Sequence, residues 1–240
     1  MIPKIIHYCW FGRGPKPSDA LRFIDGWKRL HPDYSFIEWN EDNFDVTCCS
    51  YVQQAYEKRK FAFVSDYARG LALLKEGGVY LDTDVELVAK LDPFLQHDAF
   101  FGFEEADLVA TSTIGCRPGH PIIQAYLDQY SNRLFVQADG SLDMTTNVTV
   151  MNRLLIARGL KPDGSEQHLA GGIACYPKQY FSPLDYINFV DYRDSRTVAI
   201  HHYQHTWGGP VDRIKKRLAR ILACLVGPSI FAWLRHRRSR

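Results

Sequence analysis

The sequence of residues 61–86, FAFVSDYARGLALLKEGGVYLDTDVE, predicts a helix, a tight turn and a buried strand in succession. Side chains at three- and four-residue steps mark one packing face of the helix: Phe61, Val64, Ala68, Leu71, Ala72 and Lys75. Asp66 and Arg69, also three residues apart, share another face. The pair Gly77 and Gly78 is a natural helix end, because glycine adopts the left-handed cap conformation without strain.

Two carboxylates, Asp82 and Asp84, follow the apolar residues 79–81. Strand side chains alternate, so both carboxylates point to one side where the strand ends, the usual ligand position in an open α/β sheet. Mg²⁺ and Mn²⁺ bind such carboxylates together with substrate phosphates. About one Asp-x-Asp arises by chance in such a chain, but the preceding strand and the nearby Asp66 and Arg69 favour a metal-diphosphate site over a solvated strand end.

The residues before this stretch alternate between strand and helix patterns. Residues 4–10 predict a buried strand, Ser18 is expected to cap a helix that ends at Leu30, and residues 35–39 predict a second strand. This order indicates a parallel α/β sheet. The expected packing face of the helix is Leu21, Ile24, Trp27 and Leu30. Further predictions are helices at 51–60, 121–133 and 146–158, strands at 99–103, 108–116 and around 198–200, and a polar loop at 159–172.

Composition narrows the class of protein. The 240 residues carry a net charge of +2, so no global charge argues for a nucleic-acid partner. Six cysteines show no zinc-site spacing, and several lie in apolar contexts, which indicates buried thiols in a reducing cytoplasm. The sequence does not begin with a basic segment and a long apolar run, so no signal peptide is expected.

The runs SDYAR at 65–69 and EGGVYLDTD at 76–84 resemble bacterial glycosyltransferases of the capsular polysaccharide and DXD sugar-binding type, glycosyltransferase family 32. More distantly, they are similar to the catalytic domain of the large clostridial glucosylating toxins. The segments IPKIIHYCWFG at 2–12 and IHHYQHTW at 200–207 match the same pattern in the same order. The resemblance implies a GT-A-like α/β domain over residues 1–210, with a Rossmann-type mixed sheet flanked by helices.

The implied activity is metal-dependent transfer of a hexose from a nucleotide sugar, a UDP-hexose, to a saccharide or lipid-linked oligosaccharide in surface polysaccharide synthesis. The related families retain the anomeric configuration, which implies front-face transfer. The expected cofactor is Mn²⁺ or Mg²⁺.

The resemblance also assigns donor-binding roles. An aromatic residue after a strand is usually core, but in the related enzymes the tryptophan at the position of Trp10 lies against uracil. Asp66 and Arg69 could form a simple helix-surface ion pair, worth about 0.3–0.5 kcal/mol, whereas the resemblance implies that they hold the hydroxyls of the donor sugar. Tyr80 is expected beside the nucleotide.

Three histidines follow the last predicted strand: His201, His202 and His205. Neutral imidazole is a competent Mn²⁺ ligand, while a zinc site would lack its usual cysteines. A surface histidine cluster is the plain alternative. The match to the late metal and phosphate segment of the family implies that His202 binds the metal, with His201 as the fallback, and that Trp207 closes over the diphosphate.

The carboxylate pair has two expected roles under this resemblance. Asp84 would ligate the metal directly, and Asp82 would help through water or the nucleotide sugar. The predicted catalytic residues are Asp66, Arg69, Asp82 and Asp84.

Three polar residues stay open from sequence alone. Glu104 and Glu105 leave a predicted strand together; solvent exposure is slightly favoured, and the alternative is that one carboxylate faces an acceptor sugar. Asn147 lies near a predicted helix start, where capping or solvation is favoured over substrate contact.

Residues 211–240 predict a basic amphipathic helical tail with the aromatic residues Phe231 and Trp233. The apolar part is too short to span a bilayer, which needs about 20 residues. This composition suits an anionic membrane surface, and packing on the domain or a partner is the alternative. The expected location is the cytoplasm, peripherally on the inner face of the membrane.

Two other function classes remain possible on sequence. A haloacid-dehalogenase-type phosphatase also uses Asp-x-Asp at a strand end, but its motif usually opens the chain, whereas here about 80 residues precede it. A membrane-associated sugar-binding protein without activity would not need the acidic pair, the Asp66 and Arg69 helix and the His-Trp segment together.

Overall fold

The computed structural model describes residues 1–186 and 188–203. Its helices are α1 Ser18–Leu30, α2 Ser50–Glu57, α3 Phe61–Glu76, α4 Pro121–Asp128, α5 Asn147–Ile156 and α6 Lys178–Phe181, with a 3₁₀ turn at Asp92–Phe94. Its strands are β1 Ile5–Cys9, β2 Ser35–Trp39, β3 Gly78–Leu81, β4 Val85–Leu87, β5 Ala99–Gly102, β6 Thr113–Cys116, β7 Gln167–Leu169, β8 Ile173–Tyr176, β9 Leu184–Asp185, β10 Val190–Asp191 and β11 Ala199–His201. The predicted tail at 211–240, His205 and Trp207 lie outside the described residues.

Within the described residues, seven strands form one mixed sheet in the order β2-β1-β3-β6-β5-β8-β7. β1 is parallel to β2 and β3, as the early strand-helix-strand pattern predicts. β6 runs antiparallel between β3 and β5, β8 is parallel to β5, and β7 is antiparallel at the edge. Outside this sheet, β4 pairs with β11 and β9 pairs with β10, each antiparallel.

Each face of the sheet carries its own hydrophobic cluster. Strand alternation sends Tyr80 and Phe101 into one cluster and their neighbours Val79 and Phe100 into the other. Helices α2 to α5 supply the first cluster, and α1, the 3₁₀ turn and α6 supply the second. The arrangement is therefore a sheet between two helical layers.

The Gly77 and Gly78 turn fixes the position of β3, and the predicted helix end is confirmed there. Both glycines have positive φ, +65° and +100°. A Cβ at Gly78 would lie 2.6 Å from the Ile5 carbonyl oxygen, so the turn needs glycine for space as well as for conformation. The His7 ring hydrogen-bonds to the Gly77 carbonyl at 2.7 Å, and the Trp39 indole N–H donates to His7 Nδ1 at 3.1 Å. Three adjacent strands are thereby joined next to the turn.

The first helix has the predicted bounds but a different buried face. Ser18 is inside α1, and Pro17 precedes it with no side-chain capping bond. The prediction that Leu21 packs inward is wrong, because it is 50% exposed. The buried residues are Ala20, Phe23, Ile24 and Trp27. A hydrogen bond to β4 fixes which face of α1 points inward: the Trp27 indole N–H donates to the Val85 carbonyl at 2.9 Å.

The residues predicted as a loop at 159–172 contain β7, which the sequence pattern misses. Gln167 and Leu169 are partly buried and His168 is exposed, a mixed pattern that suits an edge strand. The strand predicted at 108–116 is shortened to β6, because the Val109 backbone pairs with the Asn152 side chain through two hydrogen bonds of 2.9 Å. The helix predicted at 121–133 ends early, at Asp128.

A search of the described helices finds none with both the length and the apolar character needed to cross a membrane.

Candidate functional site

The predicted carboxylates lie where β3 ends and the β4 and β11 pair begins. Asp82 follows β3 directly, and its backbone N–H donates to the Ser112 carbonyl at 2.9 Å. Pairing of β11 with β4 places His201 opposite Val85, one residue after Asp84. The His202 N–H extends this ladder to the Asp84 carbonyl at 3.0 Å. Two segments more than 100 residues apart in sequence therefore meet at the acidic pair.

Asp82, Asp84 and His201 form a group with metal-ligand chemistry. One ligand atom from each lies within 4.8 Å of the others, and His201 Nε2 is 3.3 Å from Asp84 Oδ1. Octahedral ligands at about 2.1 Å from Mg²⁺ are at most about 4.2 Å apart, so small side-chain adjustments suffice to close the group on a cation. Two carboxylates and an imidazole suit Mn²⁺ or Mg²⁺ with positions left for phosphate oxygens.

His202, the ligand favoured by sequence, is placed elsewhere. Its Nε2 lies 2.8 Å from Glu86 Oε2, and its ring stacks on Phe23 at 4.9 Å. Consecutive side chains of an extended segment point to opposite sides, so His201 and His202 cannot both face Asp84. The geometry thus favours the fallback, His201.

The environment of His201 acts on its charge in two directions. Burial lowers its pKa, but the hydrogen bond and charge of Asp84, together with Asp82 and Glu104, raise it overall. A bound cation would take the place of the proton on this ring.

Asp66 and Arg69 form a buried pair that is linked to Asp82. Arg69 Nη2 lies 3.0 Å from Asp66 Oδ1 and 3.3 Å from Asp82 Oδ1. The Arg69 side chain is 7% exposed, so the surface ion pair considered from sequence does not describe it. Arg69 Nη1 also donates to the Thr111 carbonyl at 2.6 Å.

Tyr80 completes this polar layer. Its ring lies 4.5 Å below the Arg69 guanidinium, and its hydroxyl donates to Asp82 Oδ1 at 3.0 Å. Burial raises the pKa of Tyr80 far above its usual range, so the hydroxyl remains a donor. Tyr80 therefore contacts Asp82 of the acidic pair directly, while its position relative to a nucleotide stays a prediction.

Two features of the buried pair indicate a ligand. Burial raises the pKa of Asp66, with Arg69 opposing and Asp82 adding to the shift, so a hydrogen-bond donor would stabilise its charged form. Arg69 Nε is buried without a hydrogen-bond partner among the described residues. Native proteins rarely leave such groups unpaired, and the hydroxyls of a bound molecule would satisfy both.

Sequence reasoning missed the residues that hold α3 in place. The Tyr126 hydroxyl donates to the Asp66 backbone carbonyl at 2.9 Å and shares a 2.9 Å hydrogen bond with the Tyr130 hydroxyl. Both tyrosines are buried. Tyr126 and Tyr130 are four residues apart on a helix pattern, which indicates one shared face but not its partner.

Trp10 is partly exposed at the end of β1 and belongs to neither hydrophobic cluster of the described residues. Its indole N–H donates to the Gly14 carbonyl at 2.7 Å, and its backbone N–H donates to the Trp39 carbonyl. The loop thus fixes the ring while leaving part of it accessible, which suits a stacking surface better than a core position.

The polar residues left open by sequence are more buried than expected. Asn147 is 6% exposed and is the first residue of α5, while the cap is Thr146, whose hydroxyl accepts from the Thr149 N–H at 3.3 Å. Asn147 Nδ2 has no hydrogen-bond partner among the described residues. The favoured interpretation of Asn147 as a capping or solvated residue is therefore wrong, and Glu104 and Glu105 are only partly exposed.

Residues 17–101 match the family described as "Glycosyltransferase sugar-binding region containing DXD motif". The matched range includes α3, β3 and the acidic pair. "Inositol phosphoceramide mannosyltransferase 3" of Schizosaccharomyces pombe is 29% identical over 126 residues, 51% of this chain and 35% of that protein. "Uncharacterized glycosyltransferase L373" of Acanthamoeba polyphaga mimivirus is 27% identical over 202 residues, 78% of this chain and 76% of that protein. The chain thus spans about a third of the length of the first relative.

Among solved structures, the chain is similar to "PaToxG Glycosyltransferase", with a TM-score of 0.51, 20% identity and coverage of 65% of this chain and 69% of that one. This likeness and the mixed sheet confirm the predicted GT-A-like α/β fold. The matched family and the named relatives support a transferase. Assignment to family 32 stays a prediction.

Proposed function

We propose that this chain is a metal-dependent glycosyltransferase that moves a hexose from a nucleotide sugar to a saccharide or lipid-linked saccharide acceptor. The observation that carries the proposal is the convergence of the Asp82, Asp84 and His201 group with the buried pair of Asp66 and Arg69. Cation ligands and a polar atom without a partner lie side by side there, and all of these residues except His201 belong to the segment that matches a DXD sugar-binding region.

Asp82, Asp84 and His201 would hold Mn²⁺ or Mg²⁺. When bound, the cation would neutralise the negative charge that develops on the leaving diphosphate. Arg69 keeps Asp82 in position while its buried Nε stays available, and Asp66 offers a carboxylate to sugar hydroxyls.

The nucleotide end of the donor is assigned to Trp10, whose accessible ring can stack on a base. A UDP-hexose is the first candidate donor. Trp207 keeps its proposed role over the diphosphate, although it lies outside the described residues.

Transfer with retention is part of the proposal. The acceptor oxygen forms a bond to the anomeric carbon as the bond from that carbon to the diphosphate oxygen breaks, and the departing diphosphate takes the acceptor proton. The chain's part is to bind and orient both reactants.

The biological setting has two candidates. Surface polysaccharide synthesis follows from the sequence resemblance, whereas the name of the fission-yeast relative specifies mannose transfer to inositol phosphoceramide. Both settings use membrane-bound acceptors, which fits the proposed peripheral attachment through residues 211–240 and a cytoplasmic face. A mannose donor therefore belongs in the test beside UDP-hexoses.

The other two function classes are less consistent with these observations. A phosphatase nucleophile at Asp82 would have to attack while bound to Arg69 and Tyr80. A sugar-binding protein without activity is not the class to which the named relatives, both called transferases, belong.

The test is the melting temperature of the protein with Mn²⁺ and UDP-glucose, UDP-galactose or GDP-mannose. A ligand bound only by the native state raises this temperature by mass action. One donor is expected to give a shift that needs Mn²⁺ and disappears in Asp84→Asn. Asp128→Asn, which changes an exposed carboxylate of α4, is the matched control. No shift with any donor would contradict the proposal.

A further inference from the structure

A group of aromatic side chains leads from His201 to the surface. The His201 and Tyr203 rings lie 3.9 Å apart, and the Tyr203 and Tyr186 rings lie 4.3 Å apart, with interplanar angles of 37° and 33°. Tyr186, at the outer end, is 38% exposed. An accessible aromatic ring thus lies two ring spacings from the proposed cation ligand.

Two carboxylates accompany this stack. Glu104 and Glu105 follow β5, and both charges act on Tyr203, which shows that they lie near it. Glu104 also lies close enough to His201 and Asp82 for their charges to act on its carboxyl, although burial is the main reason why its pKa is raised. The acidic and aromatic side chains therefore form one group, which we call the tyrosine-glutamate site: Glu104, Glu105, Tyr186 and Tyr203.

The hydrogen-bonding state of this group points to a ligand. Glu105 Oε1 is buried without a hydrogen-bond partner among the described residues. A buried acceptor without a donor costs about 1–3 kcal/mol, and protein structures rarely leave one unexplained. The missing partner is a donor such as a hydroxyl.

The carboxylates and the exposed aromatic ring of this site indicate which class of ligand it binds. Glu104 lies near Asp82, and Glu105 is next to it in the chain. Their negative charges repel phosphate groups, so the donor's diphosphate does not belong here. A sugar ring offers several hydroxyl donors for carboxylates and an apolar C–H face for an aromatic ring. Lys178, whose charge acts on both glutamates, limits their mutual repulsion.

We infer that the tyrosine-glutamate site binds the acceptor sugar, with the ring on Tyr186 and its hydroxyls on Glu104 and Glu105. The inference rests on the proposed glycosyltransferase function, because it places the second reactant next to the cation group. Glu104 lies near enough to His201 and Asp82 for their charges to act on it, so a hydroxyl that it binds lies close to the cation group.

The first test measures saccharide binding without any donor, by saturation-transfer NMR with lactose and the methyl glycosides of glucose, galactose and mannose. At least one sugar should bind the wild-type protein and lose its signal in Tyr186→Ala and Glu104→Gln. Leu134→Ala is the control, because Leu134 is a comparably exposed apolar side chain, at 46%, and precedes Phe135 of the cluster supplied by α2 to α5. Unchanged signals in both site variants, or no binding by the wild type, would overturn the inference.

The second test separates acceptor from donor roles through kinetics. Glu104→Gln and Tyr186→Ala should raise the acceptor KM by about tenfold, equivalent to about 1.4 kcal/mol. In Tyr186→Ala, which lies two ring spacings from His201, donor hydrolysis in the absence of acceptor should stay within about twofold of wild type. Loss of donor hydrolysis in Tyr186→Ala would place that residue in the donor site and overturn the inference. If the proposed glycosyltransferase function is wrong, no variant consumes any donor. The NMR measurement would then still test whether the tyrosine-glutamate site binds a sugar.

Discussion

Two sets of Asp and Arg residues in this molecule show how burial changes the meaning of the same chemistry. Asp66, Arg69 and Asp82 are interlocked in a largely buried layer, with side-chain exposures of 11%, 7% and 27%. Arg193 pairs with Asp191, and Arg196 with Asp194, on an exposed segment where each arginine contacts a residue two positions away. The exposed pairs are local and screened by solvent, whereas the buried layer joins α3 to the residue that follows β3 and leaves Arg69 Nε for a ligand.

The largest expected difference between the two sets is in stability. Arg69→Met leaves Asp66 and Asp82 without their shared cation, and removing one partner of a buried ion pair costs about 3–5 kcal/mol. Urea denaturation should show this loss. Arg193→Met, the same change in the exposed set, should leave the denaturation midpoint unchanged. Similar shifts in the two variants would contradict the distinction.

The second prediction compares two adjacent histidines near the cation group. His201→Asn should weaken Mn²⁺ binding by about 10–100-fold, since it removes a proposed ligand, and His202→Asn should change it by less than about twofold. Isothermal titration calorimetry at pH 7.5 measures both. A large loss in His202→Asn with little change in His201→Asn would restore the sequence-based preference for His202.

The smallest expected effect concerns pH and the buried His7. Burial lowers the pKa of His7, so the ring is neutral in the folded protein, whereas in the unfolded chain it takes up a proton below about pH 6.5. Its contribution to stability is therefore present above pH 6.5 and falls as pH decreases, by at most about 1.4 kcal/mol per pH unit.

The check is urea denaturation between pH 7.5 and 5.5 for wild type, His7→Asn and the exposed control His168→Asn. His31 and His120 also have a lowered pKa from burial and add the same sign of dependence. The slope should decrease in His7→Asn and change less in His168→Asn, whose ring lies 5.8 Å from the His97 ring and adds to the effect of burial in lowering the pKa of His97. An unchanged slope in His7→Asn would show that His7 does not titrate between the two states.

Local patterns in the sequence predict the central part of this fold well. The helix and strand on either side of Gly77 and Gly78 are confirmed, because periodicity and glycine conformation are properties of neighbouring residues. The pattern could not show that Arg69 is buried against Thr111, since that contact joins residues 42 positions apart. The same limit hides Tyr126, which binds the Asp66 backbone from 60 positions away.

The sequence predicts which residue types form the site more reliably than it predicts which way their side chains point. The sequence indicates that carboxylates and a histidine serve a cation, but the choice between His201 and His202 depends on which side of an extended segment each residue faces. That orientation is set by pairing of β11 with β4, which spacing alone does not reveal. The roles of Trp207 and of residues 211–240 stay predictions, since both lie outside the described residues.

The most direct test of the central claim is release of nucleoside diphosphate from UDP-glucose, UDP-galactose and GDP-mannose by the purified protein, with Mn²⁺ and with excess EDTA. The account predicts turnover of at least one donor that needs the metal ion, is abolished in Asp84→Asn and survives in His202→Asn. Turnover that persists in EDTA or in Asp84→Asn, or none with any donor while the fold is intact, would contradict it.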